Sequence, residues 1–142
     1  SNKKNNKIQK IMKLHHTGIF VEKLEKGYNF FNKIIKIKKK SRVITDRNLG
    51  VRIKFLFDEN NNCYELVSPY LKNNPVKQVL NEKKSIINHF AYKTKKFDKM
   101  ILYLRKINCA PLGKPMHAVA FKGKRIIFFL TPLNFIIELI EE

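Results

Sequence analysis

Apolar and polar residues alternate over Lys13–Val21, the period of a strand. This puts His16, Gly18 and Phe20 on one face and His15, Thr17, Ile19 and Val21 on the other. Over Glu22–Ile35 the period lengthens. Leu24, Tyr28, Phe31, Ile34 and Ile35 recur at helical spacing, with lysine on the opposite face. Lys36–Ile44 alternates again but is strongly basic, which predicts an exposed edge strand guarded by lysine. Gly50–Phe57 and Asn62–Val67 flank the turn formers of Asp58–Asn62 and predict a hairpin. From Ser68 to Lys84 the pattern breaks at Pro69 and at Asn73-Asn74-Pro75, leaving a short helical piece over Val76–Glu82. The order then begins again. Ile86–Lys93 predicts a strand, and Lys96–Ile107 a helix with Phe97, Ile101, Leu104 and Ile107 inward. Pro115–Phe121 is a third element, and Lys124–Leu130 with Phe135–Ile140 forms a closing hairpin.

Each half therefore reads strand, helix, then three strands. A shift of 73 residues superimposes 16–66 on 89–139 without gaps. The identities include His16/His89, Gly50/Gly123, Arg52/Arg125, Ile53/Ile126, Phe55/Phe128, Asn61/Asn134, Glu65/Glu138 and Leu66/Leu139. They exceed what this composition gives by chance, so the chain is an internal duplication. The expected layout is a disordered extension over 1–12, a first module over 13–68, a connector over 69–85 and a second module over 86–142, forming one compact domain.

Composition adjusts this picture modestly. With 142 residues, 44% of them hydrophobic and few Gly or Pro, the chain is long and apolar enough to bury a core. A formal charge of +19 favours anionic partners, though much of it accompanies a general richness in Lys, Asn and Ile. The basic run Lys33–Arg42 is a weak basis for nucleic-acid binding, because its neighbouring Phe30, Phe31, Ile34 and Ile35 lie on a helix face expected in the core. Cys63 and Cys109 match no metal or disulfide spacing, and a reducing, cytoplasmic setting is expected. Ile126–Ile140 is interrupted by Thr131, Pro132, Asn134 and Glu138, and so reads as two strands and not a membrane span.

The chemistry lies in the repeated His and Glu. Glu138 stands within Phe135-Ile136-Ile137-Glu138-Leu139-Ile140, where an unpaired buried carboxylate would cost several kcal/mol or take up a proton. Glu65 sits in the same way within Cys63–Val67. Two His and two carboxylates suit a divalent first-row ion with room left for water or substrate. Alternation puts His16 on the Gly18/Phe20 face, Glu65 on the Cys63/Val67 face, His89 on the Ile87/Ala91 face and Glu138 on the Ile136/Ile140 face. If those faces meet, the four converge. The bland alternative is two core histidines and two edge glutamates, but four such residues at repeat-related positions favour the metal. His15 is expected to face away and be structural; His117, near no motif, is a weaker candidate for the pocket wall.

The stretches His15-His16-Thr17-Gly18-Ile19-Phe20-Val21, Tyr64-Glu65-Leu66-Val67-Ser68-Pro69, Asn88-His89-Phe90-Ala91-Tyr92 and Ile137-Glu138-Leu139-Ile140 resemble the vicinal oxygen chelate superfamily of glyoxalases and methylmalonyl-CoA epimerases. The resemblance implies an α+β fold of two tandem βαβββ modules, with curved sheets around a metal-floored pocket. It implies one divalent ion (Zn, Co, Ni, Mn or Fe) on His16, Glu65, His89 and Glu138. The implied chemistry is proton transfer next to a carbonyl through a metal-stabilised enediolate, with Glu138 as base and Glu65 second. The substrate would be a small anionic acyl thioester or a related compound. The expected assembly is a homodimer, with no membrane and no nucleic-acid partner. Epimerase likeness also implies an acid/base glutamate before the Gly50-Val51 strand, where this chain has Asn48, and Asp46 is the nearest carboxylate. The alternatives are a non-catalytic binding or resistance protein of the same fold and an extradiol dioxygenase; Glu65 as a fourth ligand argues against the latter.

Overall fold

The computed structural model describes residues 11–72 and 85–142. The first half runs β1 (Lys13–Val21), α1 (Leu24–Ile34), β2 (Ile37–Lys40), β3 (Ile44–Asp46), β4 (Val51–Asp58) and β5 (Cys63–Pro69). The second runs β6 (Ser85–Thr94), α2 (Phe97–Lys106), β7 (Ala110–Pro111), β8 (Met116–His117), β9 (Arg125–Leu130) and β10 (Ile136–Glu141). The strands form one open mixed sheet in the order β2-β4-β5-β1-β6-β10-β9-β7, with β3 also on β4 and β8 on β9. The fold is α+β, and each half repeats the same layout. β1 pairs parallel with β5 and β6 parallel with β10, while β1 and β6 join the halves antiparallel.

Two of the repeated identities are backbone requirements. Asn61 and Asn134 have φ of 60° and 65° in the turns of the two hairpins, and Gly50 and Gly123 have φ of 69° and 79° ahead of β4 and β9. Asparagine and glycine tolerate this left-handed region best. Asp58 closes the first hairpin by accepting from the N–H groups of Asn60 and Asn62, both at 2.9 Å.

The helices cover one face of the sheet. Leu24, Tyr28 and Phe31 of α1 pack on Ile19, Val21, Leu56 and Leu66. Gly27 lets the helix sit close, since a Cβ there would lie 3.1 Å from Leu66 and 3.2 Å from Val21. Phe97, Met100 and Leu104 of α2 pack on Ile127, Phe129, Ile137 and Leu139, and Ile11 and Met12 join that cluster. Residues 11 and 12 thus belong to the fold and not to an extension, while the remaining part of that segment, 1–10, lies outside the described residues, as does the helical piece expected over Val76–Glu82.

Three expectations need correction. The helix faces are narrower than the apolar pattern suggests. Ile34 ends α1 and Ile107 is the C-cap of α2, where the chain has left helical geometry, and both are exposed; Met100 is the inward residue instead. The basic edge strand is two pieces, β2 and β3, and Ser41 between them bonds across to β4. Its Oγ accepts from Phe55 N–H at 2.9 Å while its own N–H donates to Phe55 O. The third element of the second half is likewise split, with β8 followed by a 3₁₀ turn over Val119–Phe121 and β7 supplying a further short strand.

Asp46 ties the halves together. Fully buried at the end of β3, it accepts from Leu49 N–H at 3.0 Å and from Val119 N–H of the 3₁₀ turn at 3.1 Å. Asp46→Ala is expected to strand both amides and lower stability by about 1–3 kcal/mol, read as an earlier urea midpoint at unchanged slope.

Candidate metal centre

The face opposite the helices carries the four repeated residues, brought together by strand register. One row across the sheet reads Phe55, Glu65, Gly18, His89, Ile136, and the next reads His16, Ala91, Glu138, Phe128. Each histidine therefore faces a small residue on the neighbouring strand. A Cβ on Gly18 would fall on the His89 ring, so the ring occupies space that only glycine leaves open.

Strict alternation does not hold along β1 and β6. The β1–β6 pairing skips His15 between Leu14 and His16, and skips Asn88 between Ile87 and His89. A bulge residue breaks the period of two, so its side chain need not point opposite to the next. His15 consequently lies on the site side, contrary to expectation, with its ring edge-on to Phe55 and Phe121 and its Nδ1 2.8 Å from His16 Nδ1. His89 likewise does not share a face with Ile87, which is exposed on the helix side near Ile19 and Val21. His117 is exposed and bonded to Gly123 O at 2.7 Å, away from the site.

His16, Glu65, His89 and Glu138 are all buried, and one donor atom from each lies within 4.8 Å of every other. His16 Nε2 is 3.5 Å from Glu65 Oε1, 3.2 Å from Glu138 Oε1 and 3.2 Å from His89 Nε2. His89 Nε2 is 3.4 Å from both carboxylate oxygens. A tetrahedral zinc site with bonds of roughly 2.1 Å has edges of roughly 3.4 Å, so these separations fit one shared ion. A further feature fits it: Glu138 Oε1 is buried with no aligned hydrogen-bond donor.

Without an ion the cluster balances itself with protons. Burial pushes the imidazoles toward neutrality, but the charges and hydrogen bonds of Glu65 and Glu138 outweigh it and raise His16 to about 9 and His89 to about 10. Burial pushes both carboxyls up, but the histidines outweigh it and hold Glu65 and Glu138 below the usual range. His15 moves the other way, down to about 4, through burial and then the charge of His16. It is therefore neutral, and its Nδ1 accepts from His16 Nδ1–H. Asn88 Oδ1 accepts from His89 Nδ1–H at 3.0 Å.

Beside the cluster lies a cavity of about 250 Å³, with Glu65, His89 and Glu138 in its lining. Most of the rest of the wall is apolar, including Phe20, Val51, Ile53, Phe121, Ile126 and Phe128. Among the described lining residues the only carboxylates are Glu65 and Glu138. Asp46 is not among them, and both its oxygens are engaged by backbone amides. Asn48 does not line the cavity either.

Comparison with known proteins places the chain. The model of the Glyoxalase/Bleomycin resistance protein/Dioxygenase superfamily matches residues 15–128, and the chain belongs to that family. Among solved structures it is similar to a hypothetical protein from Bacillus halodurans C-125, with a TM-score of 0.80, 21% identity, and coverage of 92% of this chain and 94% of the other. It is also similar to methylmalonyl-CoA epimerase from Mycobacterium tuberculosis, with a TM-score of 0.76, 20% identity and coverage of 90% and 86%. A Streptomyces coelicolor methylmalonyl-CoA epimerase in complex with 2-nitronate-propionyl-CoA aligns with a TM-score of 0.73, 18% identity and coverage of 93% and 98%. At these identities the likeness is one of fold. A comparison with curated proteins finds no match.

The pH dependence of the metal-free protein tests the cluster. Histidines raised from 6.5 contribute stability that is complete below that value and lost as pH climbs through about 9 and 10. The depressed carboxylates contribute stability above their ordinary 4.5 and lose it below. His15, lowered from 6.5 to about 4, contributes stability that is complete above 6.5 and lost as pH falls below it. In chelator the melting temperature is expected to peak near pH 6.5 and fall steadily toward pH 10. A melting temperature that rises above pH 7 would contradict the imidazolium–carboxylate arrangement.

Proposed function

We propose that the chain is a metal-dependent enzyme that moves a proton next to a carbonyl, as in glyoxalase-like isomerisation or epimerisation of a small acyl thioester or related anionic compound. The observation that carries this reading is the convergence of four buried donors from repeat-related positions at the edge of an apolar cavity. His16, Glu65, His89 and Glu138 would hold one divalent ion. When bound, such an ion supplies Lewis acidity that acidifies a C–H bond beside a carbonyl. Glu138 takes the proton from that carbon on a carboxylate oxygen and returns it to the same carbon or its neighbour. Glu65 is the second candidate. Both stand on one side of the cavity, and the described walls elsewhere offer no further carboxylate, which favours transfer on a single face over a two-base inversion.

The apolar walls suit the carbon skeleton and exclude water from the reacting carbon. The charge of +19 would gather anionic substrates. Free, buried Cys63 and Cys109 support a reducing compartment such as the cytoplasm. No described helix is long and apolar enough to cross a membrane. A homodimer is the assembly we propose.

Purified protein dialysed against Zn, Co, Ni or Mn is expected to bind close to one ion per chain, and His16→Ala or His89→Ala to abolish that binding. Stoichiometric metal in the double variant would exclude this site. Acyl-CoA and glutathione thiohemiacetal compounds are the substrates to screen. With a compound that turns over, Glu138→Gln should retain most metal affinity while proton exchange at the substrate carbon, followed by NMR in deuterated water, falls roughly a hundredfold or more. Wild-type exchange in that variant would reassign the base to Glu65.

A further inference from the structure

We propose that His15 and Asn88 are a matched pair of positioning residues, each holding the ligand histidine that follows it with Nδ1–H engaged and Nε2 turned to the ion. The inference rests on the metal-site reading above and assigns to it two residues outside the ligand set. Three observations carry it. The two residues are 73 apart, the spacing of the repeat, although they differ in kind. Each is the residue skipped by the β1–β6 pairing, so each half gives up regular pairing at the same place. Each puts a hydrogen-bonding atom against the Nδ1 of the next histidine, His15 Nδ1 at 2.8 Å and Asn88 Oδ1 at 3.0 Å.

The bulges explain how adjacent residues can do this. In a regular strand consecutive side chains point to opposite faces and cannot hydrogen-bond to each other's ring on one side of the sheet. One extra residue per strand brings both to the same side. The outer partner of a ligand histidine selects which nitrogen is free for the metal and fixes the plane of the ring. His15 and Asn88 supply the same function, one acceptor, from an imidazole and an amide. The different chemistries point to the acceptor as the feature the site needs.

The pair can be tested by exchanging chemistries. His15→Phe keeps the ring packing against Phe55 and Phe121 and removes the acceptor. Asn88→Leu keeps the size and removes the other. Each is expected to weaken zinc binding, measured by competition with a chromogenic chelator, by roughly 10- to 100-fold, while the melting temperature of the metal-free protein stays close to wild type. His15→Asn, which copies the arrangement at Asn88, should restore affinity to within a few-fold. Long-range ¹H–¹⁵N spectra of zinc-loaded wild type should show His16 and His89 protonated on Nδ1. Wild type that takes up no zinc would remove the metal site and this role with it. Wild-type zinc affinity in both His15→Phe and Asn88→Leu, or no recovery in His15→Asn, would overturn the positioning role and leave the metal site standing. If His15→Phe does not fold, Asn88→Leu and His15→Asn decide the matter alone.

Discussion

Two carboxylates buried within a few ångströms of one another repel, and removing either charge from water costs several kcal/mol that close cations or hydrogen-bond donors must offset. In this fold the cations available are the imidazoles of His16 and His89 or an ion held by all four groups. Much of the local architecture follows from delivering two histidines and two glutamates to one point. Glutamate reaches it from β5 and β10, the parallel neighbours of β1 and β6, and histidine from β1 and β6 themselves. The central antiparallel pair is therefore both the seam between the halves and the floor of the site.

The seam has the symmetry of the repeat written into its register. His16 faces Ala91 and His89 faces Gly18, with Thr17 opposite Phe90 between them. Ala91 and Gly18 are themselves repeat partners, so each module provides one histidine of the cluster and one small residue that makes room for the other's. Glu65 pairs with Gly18 and Glu138 with Ala91, which sets each carboxylate beside the space left by the small side chain. One module alone would present one His and one Glu, too few donors to enclose an ion. Duplication and site are the same event in structural terms.

The sequence carried the element order, the repeat and all four ligand candidates, because these depend on periodicity and on rare residues recurring at a fixed offset. It did not carry the bulges. Alternation assigns His15 to the far face and puts Ile87 with His89, and both assignments fail where one residue is skipped. The doubling His15-His16, matched by Asn88-His89 after 73 residues, was the available signal: two polar side chains in succession at repeat-related places in otherwise alternating strands. Asp46 marks a second limit of sequence pattern: it is the carboxylate nearest the epimerase position, but its two oxygens are engaged by the Leu49 and Val119 amides, a use that no local pattern reveals.

That use of Asp46 bears on the chemistry the cavity can support. Inverting a carbon by proton transfer calls for one group to remove the proton and another, on the opposite side, to supply it. Outside the cluster the described lining includes Val51, Ile53, Phe20, Ile126 and Phe128, none of which can carry a proton. Turning Asp46 into such a group would leave two part-buried amides, those of Leu49 and Val119, unpaired and loosen the tie between β3 and the 3₁₀ turn, at a cost of about 1–3 kcal/mol. The fold thus commits that carboxylate to structure, and Glu65 and Glu138 are the carboxylates among the described residues that line the cavity. For the proton transfer proposed above, this arrangement would suit a substrate that needs only one face of its carbon worked on, or whose planar intermediate can turn over within the apolar cavity.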